Sequence, residues 1–150
     1  MKKILFGITS LTLGGAEKVL VDLANELSKK YDVTILTIYA KGEFEKKLNS
    51  KVKLKSIYNF QFNDMSNFKK KLTALKLLLL KKSFYKKYIK GDYDIEIAFL
   101  EGPITRLFGV KNKNTRKIAW VHNDITQVFG KDIKAKLKVA IDKKTYGKYQ

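Results

Sequence analysis

The chain contains no cysteine, one proline and one histidine among its 150 residues. Without cysteine it has no disulfide framework and no thiolate nucleophile, and this composition fits an intracellular compartment. Because His122 is the single histidine, a histidine-rich metal site is excluded. No apolar run reaches the roughly 18 residues that a membrane-spanning helix needs. What remains is a globular chain about one domain long, with 45% apolar residues.

Arginine and acidic side chains are also scarce. Lysine supplies 30 of the 32 basic residues, against 14 acidic ones, and the net charge is +18. Arginine is the usual choice for bidentate recognition of bases and phosphates, so this balance disfavours a dedicated nucleic-acid reader. Diffuse attraction to an anionic surface, membrane or nucleic acid, remains compatible with the charge. The lysine bias is also typical of an AT-rich genome and would then carry no functional meaning.

Apolar periodicity predicts strands that alternate with helices. The predicted strands are Ile4–Ile8, Val33–Tyr39, Val52–Tyr58, Ile95–Leu100 and Lys117–Val121, and the predicted helices are Ala16–Leu27, Asn67–Lys90, Ile104–Phe108 and Lys131–Lys148. Such alternation is typical of an α/β fold, here a Rossmann-like, doubly wound parallel sheet with helices on both faces. We expect the strand order 3-2-1-4-5, with the third strand at an edge.

In this order, ligands bind beyond the carboxyl ends of the strands, near the first and fourth. Gly14 and Gly15 lie between the first strand and its helix, where side-chain-free backbone and unpaired N–H groups suit an anion, above all a phosphate. Glu101–Pro103 and His122–Asp124 follow the fourth and fifth strands. We therefore predict one site at this edge of the sheet. A tight turn without a ligand is the alternative for the glycine pair.

Two nucleotide-binding motifs are missing. The chain has neither the G-x-G-x-x-G fingerprint nor the G-x-x-x-x-G-K-[ST] loop, and no carboxylate ends the second strand. A nicotinamide site and a P-loop are therefore not expected.

The candidate side chains each leave a choice open. His122 is either structural or a group that bonds a sugar hydroxyl or assists proton transfer. Glu101 either caps the following helix or faces the cleft as a carboxylate for hydroxyl groups. Glu17 lies in the first helical turn, and the favoured interpretation is that its carboxylate interacts with the helix dipole.

The segment Asn67–Lys90 is unusually basic, with nine lysines and no acid. It carries two apolar stripes, which are Phe68, Leu72, Leu75 and Leu79 on one side and Leu77, Leu80, Phe84 and Tyr88 on the other. If one stripe covers the sheet, the other needs a neighbouring helix or an anionic membrane surface. The alternative is a kinked or split helix that buries both stripes.

Three segments resemble the N-terminal, acceptor-side domain of family-four glycosyltransferases of the GT-B fold: Leu13–Ala24, Ile97–Glu101 and Ile118–Asn123. The resemblance implies a retaining, metal-free, hexosyltransferase-like enzyme that uses a nucleotide-sugar donor. It implies that Gly14 and Gly15 contact the donor diphosphate and that His122 is the catalytic residue near the transferred sugar. By the same resemblance, the acceptor or sugar contacts are Glu17, Lys18, Glu101 and Asn123.

The chain departs from that family by lacking a C-terminal donor domain. We therefore expect residues 1–150 to form a single N-terminal domain, cut before its last strand and inactive alone, because catalysis needs groups that converge on one transition state. The expected acceptor is a surface glycan or a lipid-linked glycan. The expected location is cytoplasmic, peripheral on the inner face of the membrane. The alternatives are a non-catalytic module that partners a separate donor-binding chain, and a basic nucleic-acid-binding domain.

Overall fold

The computed structural model describes residues 1–89, 91, 93–122, 140, 141 and 143–149. Within this part of the chain, five parallel strands form one sheet in the order β3-β2-β1-β4-β5. The strands are β1 (Lys3–Ile8), β2 (Asp32–Tyr39), β3 (Lys53–Tyr58), β4 (Ile95–Ala98) and β5 (Arg116–Ala119). The predicted fold class and strand order are confirmed, and β3 lies at an edge as expected.

The central strand β1 pairs with β2 on one side and with β4 on the other. Successive side chains of a strand point to opposite faces. Leu5 therefore enters the core on one face, whereas Ile4 and Phe6 enter the core on the other. This two-sided burial explains why β1 reads as a continuous apolar run rather than an alternating one.

Helices cover both faces of the sheet. One face packs against α1 (Gly15–Leu27) and a 3₁₀ helix at Glu43–Lys47, which the sequence did not predict. The other face packs against α2 (Asn67–Leu79), α3 (Lys81–Phe84), a π-helical turn at Tyr85–Ile89 and α4 (Pro103–Phe108). No helix in the described ranges is both long enough and apolar enough to span a membrane.

The predicted single helix over Asn67–Lys90 is wrong. Leu80 leaves helical geometry with φ −102° and ψ 19°, and this residue separates α2 from α3. The helix is therefore split, but it does not bury both stripes, and Leu80 of the second stripe is itself 52% exposed. Phe68, Leu75 and Leu79 are 77%, 50% and 70% exposed. The predicted helix over Lys131–Lys148 lies largely outside the described residues, of which 140, 141 and 143–146 are helical.

A buried ion pair joins β4 to β5 near their amino ends. Lys117 donates to the Glu96 carboxylate, to the Phe108 carbonyl at 2.8 Å and to the Tyr85 hydroxyl at 3.1 Å. The Tyr85 hydroxyl in turn donates to Glu96 at 2.6 Å. Burial lowers the pKa of Lys117 although Glu96 opposes the shift, and burial raises the pKa of Tyr85 with Glu96 reinforcing it. All three ammonium protons of Lys117 thus have acceptors, which is what a buried charge requires.

Gly7 is the position where α4 comes closest to the sheet. A Cβ there would collide with the Phe108 ring and lie 2.8 Å from Cγ1 of Ile104, and both side chains are fully buried. Replacing Gly7 with a larger residue therefore forces rigid neighbours apart.

We expect Gly7→Ala to lower the free energy of unfolding by about 1–3 kcal/mol, the usual cost of overpacking a core. Urea denaturation measures this change. Gly15→Ala is the matched control because a Cβ at Gly15 meets no atom within 4 Å, and its effect should stay within about 0.5 kcal/mol. Equal effects of the two substitutions would contradict the close approach of α4.

Candidate functional site

The loops after β1, β4 and β5 leave the sheet at the same edge. Strand pairing continues one residue beyond the ends of β4 and β5. The Phe99 N–H donates to the Gly7 carbonyl at 2.8 Å, and the Trp120 N–H donates to the Ala98 carbonyl at 2.8 Å. The backbone of the sheet therefore sets where the segments at 99–102 and 120–122 begin.

The loop between β1 and α1 is held by backbone bonds. The Thr9 carbonyl accepts from the N–H groups of Ile38 and Tyr39 at 3.1 and 3.0 Å, and the Leu11 carbonyl accepts from the Phe44 N–H at 2.9 Å. Leu11 is fully buried. The approach to Gly14 and Gly15 is thus anchored by β2 and the 3₁₀ helix.

The start of α1 is open and has no side-chain cap. Gly14 is the N-cap residue and makes no side-chain capping bond, and the first helical bond runs from the Lys18 N–H to the Gly14 carbonyl at 3.1 Å. The N–H groups of residues 15–17 precede that bond and point out of the helix end. A Cβ on Gly15 would meet nothing within 4 Å, whereas one on Gly14 would collide with the Glu17 carboxylate. The helix end therefore offers donors, open space and a partial positive charge, and Glu17 is placed to interact with that charge.

The turn after β4 depends on a glycine. Gly102 has φ +90° and ψ −128° and is the N-cap residue of α4, with Pro103 in the first turn. An L side chain rarely adopts this backbone conformation. Because Gly102 holds the N-cap position, Glu101 is not the capping residue that one interpretation of the sequence predicted.

Glu101 and His122 are brought together. The His122 N–H donates to the Glu101 carboxylate at 2.5 Å, which ties the segment after β5 to the segment after β4. The His122 ring lies 4.8 Å from the Phe99 ring and stacks on Trp120, with 6.1 Å between centroids and 11° between planes. Its Nε2 is buried and finds no hydrogen-bond partner within the described ranges. A buried, unpaired nitrogen costs about 1–3 kcal/mol, so this atom is suited to accept or donate a bond when a polar group reaches it.

Lys18, a predicted sugar or acceptor contact, lies on the outer surface of α1. Its side chain is exposed, and its ammonium pairs with the Asp22 carboxylate at 2.8 Å. The first turn of α1 follows β1, and β4 separates β1 from β5, which puts roughly 10 Å of sheet between the strands that lead to Gly14 and His122. Asn123 and Asp124 lie outside the described residues.

Two aromatic residues that were not among the predicted site residues, Phe99 and Trp120, flank the histidine. Phe99 is fully buried and lies 4.8 Å from Trp120, ring to ring. Their signal in the sequence is a bulky aromatic directly after a strand end, which places the ring over the edge of the sheet. Together they hold the His122 imidazole against the protein.

We expect Glu101→Ala to speed amide hydrogen exchange of His122 about tenfold, because a bond to a carboxylate is worth about 1.5–3 kcal/mol. Proton exchange followed by NMR measures this rate. Glu43→Ala is the control, because Glu43 is an exposed carboxylate in the 3₁₀ helix and should leave the His122 rate unchanged. An unchanged rate in Glu101→Ala would show that the bond does not hold this segment in solution.

The chain is similar in sequence to a curated glycosyltransferase. No family model matches the chain. The chain is 39% identical over 106 residues to an α-1,4-N-acetyl-D-galactosaminyltransferase of Campylobacter jejuni, in an alignment that covers 67% of this chain and 26% of that protein. The relative is named for its acceptor, GalNAc-α-(1→4)-GalNAc-α-(1→3)-diNAcBac-PP-undecaprenol.

Among solved structures, the C-terminal domain of a hydrogenase from Pyrococcus furiosus aligns at 19% identity with a TM-score of 0.47, over 81% of this chain and 91% of that one. A likeness at this level carries no inference about function. The curated relative supports the prediction of a glycosyltransferase. Membership of family four and an N-terminal domain of the GT-B fold remain predictions. The chain is similar to part of a glycosyltransferase and spans about a quarter of that relative's length.

Proposed function

We propose that this chain is the N-terminal, acceptor-side domain of a retaining family-four glycosyltransferase of the GT-B fold. In this proposal it helps to transfer a sugar from a nucleotide-diphosphate-sugar to a lipid-linked or surface glycan. The observation that carries the proposal is the uncapped start of α1 at Gly14 and Gly15, on the same edge of the sheet as the Glu101–His122 bond. The relative's named activity on an undecaprenol-linked acceptor supports the choice of substrate class.

In the proposed mechanism the free N–H groups at the start of α1 stabilise the departing nucleotide diphosphate. Negative charge grows on that leaving group as the bond to the sugar breaks, and donors that are already oriented stabilise it without reorganisation. The open space above Gly15 lets phosphate oxygens approach the backbone. Because the Glu17 carboxylate lies beside Gly14, an incoming diphosphate displaces it from the helix end.

His122 is the proposed catalytic residue. Its Nε2, which has no hydrogen-bond partner among the described residues, contacts a hydroxyl of the transferred sugar once the ring turns away from Trp120. Glu101 positions the histidine segment through its bond to the His122 N–H. Lys18 and Asn123 are proposed as further sugar or acceptor contacts, as is Glu17 after its displacement.

The donor domain in this proposal is supplied by sequence outside these 150 residues. Transfer needs groups from both sides of the cleft converging on one transition state, so the 150-residue chain by itself binds substrate without turning it over. No metal is required in the proposal, because the backbone donors of α1 and basic groups of the donor domain offset the diphosphate charge.

The exposed side of α2 is the proposed docking surface for an anionic membrane on the cytoplasmic face. Its apolar stripe consists of Phe68, Leu72, Leu75 and Leu79, of which the most buried is still 39% exposed. Four lysines, at positions 69, 70, 71 and 76, lie between these residues in sequence, and α2 has no acidic residue. An apolar face flanked by lysines is the pattern by which helices lie in the headgroup region of anionic bilayers.

We expect Gly15→Val to weaken binding of a nucleotide-diphosphate-sugar by about tenfold or more, equivalent to about 1.4 kcal/mol. The valine side chain fills the space through which phosphate reaches the backbone. NMR titration of the chain with UDP-, GDP- and ADP-linked sugars measures affinity and shows whether the amides of residues 14–17 shift.

Gly147→Val is the matched control, since a Cβ at Gly147 meets nothing closer than 3.9 Å and the residue lies away from the glycine pair. It should bind like the unmodified chain. Equal affinity of Gly15→Val and the unmodified chain would remove the diphosphate site from α1.

We expect the double change Leu72→Ser and Leu75→Ser to lower the partition coefficient onto phosphatidylglycerol vesicles about tenfold or more, since burying a leucine contributes roughly 1.5–3 kcal/mol. Flotation of the chain with these vesicles measures it, with phosphatidylcholine vesicles as the neutral reference. The control is Val19→Ser with Leu54→Ser, which changes two exposed apolar residues elsewhere. Membrane docking through α2 is wrong if both double variants float alike.

A further inference from the structure

A second basic region lies at the opposite edge of the sheet from the candidate site. Residues 109–115 run from the end of α4 to the amino end of β5, and they face α3 and the π-helical turn across a depression. Since α4 begins at the carboxyl edge and β5 begins at the amino edge, this depression is separated from Gly14 and His122 by the length of the sheet. It cannot be another part of the same site.

The depression consists of two adjoining cavities that share Lys111 and Lys148. The larger has a volume of about 540 Å³ and is lined by Lys81, Lys82, Tyr85, Lys86, Gly109, Val110, Lys111 and Lys148. The smaller has a volume of about 230 Å³ and is lined by Lys111, Asn112, Lys113, Thr115, Lys117 and Lys148. Five lysines therefore line the larger cavity, together with an aromatic and an aliphatic wall.

The five lysines of the larger cavity form no ion pair with a carboxylate among the described residues. Both oxygens of the buried Glu96 carboxylate already accept hydrogen bonds, one from Tyr85 and one from Lys117. Asp94 lines a neighbouring cavity and accepts a bond from the Lys3 N–H at 2.7 Å. Desolvation lowers the pKa of Lys148, and repulsion from Lys81, Lys144, Lys111 and Lys82 lowers it further. Like charges held this close repel one another, and an anion bound between them would relieve that repulsion.

Polar side chains that are hydrogen-bonded to the protein form the floor of the smaller cavity. Asn112 donates to the Tyr85 hydroxyl at 3.2 Å and to the Thr115 hydroxyl at 3.0 Å, and Thr115 donates to the Tyr93 carbonyl at 2.8 Å. These bonds hold the 112–115 turn against the buried Lys117–Glu96 pair. The backbone beside Lys111 and Lys113 is therefore tied to the body of the protein by hydrogen bonds.

We propose that this lysine-lined depression binds a phosphate group, as a site separate from the one at the carboxyl edge. Lysine binds phosphate as a compact point charge with freely directed donors, without the fixed bidentate geometry of arginine. The concave shape favours a compact phosphate over an extended nucleic-acid backbone. The phosphate belongs either to a soluble molecule or to a lipid headgroup, and the same lysines would contact it in both cases.

The depression variant carries Lys111→Ala and Lys148→Ala together, and it is compared with a matched double variant. Lys30→Ala with Lys51→Ala removes the same charge from two exposed positions outside the depression. Each chain is titrated with inorganic phosphate at constant ionic strength set by chloride, and NMR follows the amides of residues 109–115. A parallel arm measures flotation with phosphatidylglycerol vesicles.

We expect saturable phosphate binding that the depression variant weakens about tenfold or more and the control variant leaves unchanged. Removing two of the mutually repelling lysines should also raise or preserve the melting temperature of the depression variant without phosphate, so that lost binding does not reflect unfolding. If the depression variant reduces vesicle flotation alone and soluble phosphate shifts no amide, the headgroup is the source. Equal losses in both variants, or no saturable binding in either arm, would overturn the proposal.

This outcome is independent of the proposed transferase role. Gly15→Val should retain phosphate binding at residues 109–115 while losing the nucleotide-sugar response at residues 14–17. The two sites can therefore fail separately.

Discussion

The central strand β1 is the constraint on which the rest of the structure depends. Its backbone pairs with β2 and β4 along both edges, and its side chains fill a core on each face. Gly7 of this strand has no side chain, and this lets Phe108 and Ile104 of α4 pack close to the sheet. Because every other layer packs on β1 or on its neighbours, a displacement of this strand would move both helical layers and the loops that carry the candidate site.

The two edges of the sheet have different chemistry because parallel strands all point the same way. At the carboxyl edge, loops and the start of α1 present backbone N–H groups, together with a histidine held between aromatic rings. At the amino edge, side chains and not backbone groups supply the positive charge, since the lysines of α3 and of the 109–115 segment converge there. One edge thus suits a ligand that reaches the backbone, and the other suits an anion held by flexible ammonium groups.

The strand order, the edge position of β3 and the placement of three loops on one edge were predictable, because apolar periodicity and short connections leave few arrangements for alternating strands and helices. A split of the long helix was one of the two alternatives, but the position of the break at Leu80 was not predictable. Leucine and lysine are good helix formers, so nothing local ends the helix between Leu79 and Lys81. The break redirects the chain so that Tyr85 and Ile89 reach the core, whereas Phe68 and Leu79 stay exposed. Packing of the second segment overrode the local preference.

By itself, the sequence determined the α/β class, the glycine pair at a strand–helix junction and the position of His122 just beyond a strand, because hydrophobic period and glycine placement act over short distances. Only the tertiary structure decided the partners. It joined the His122 backbone to Glu101 and enclosed the ring with Phe99 and Trp120, and it kept Gly102, not Glu101, as the cap of α4. It also gathered lysines 81 and 148 around one depression. Such pairings join residues far apart in sequence, and their geometry depends on how whole layers pack, which no local pattern encodes.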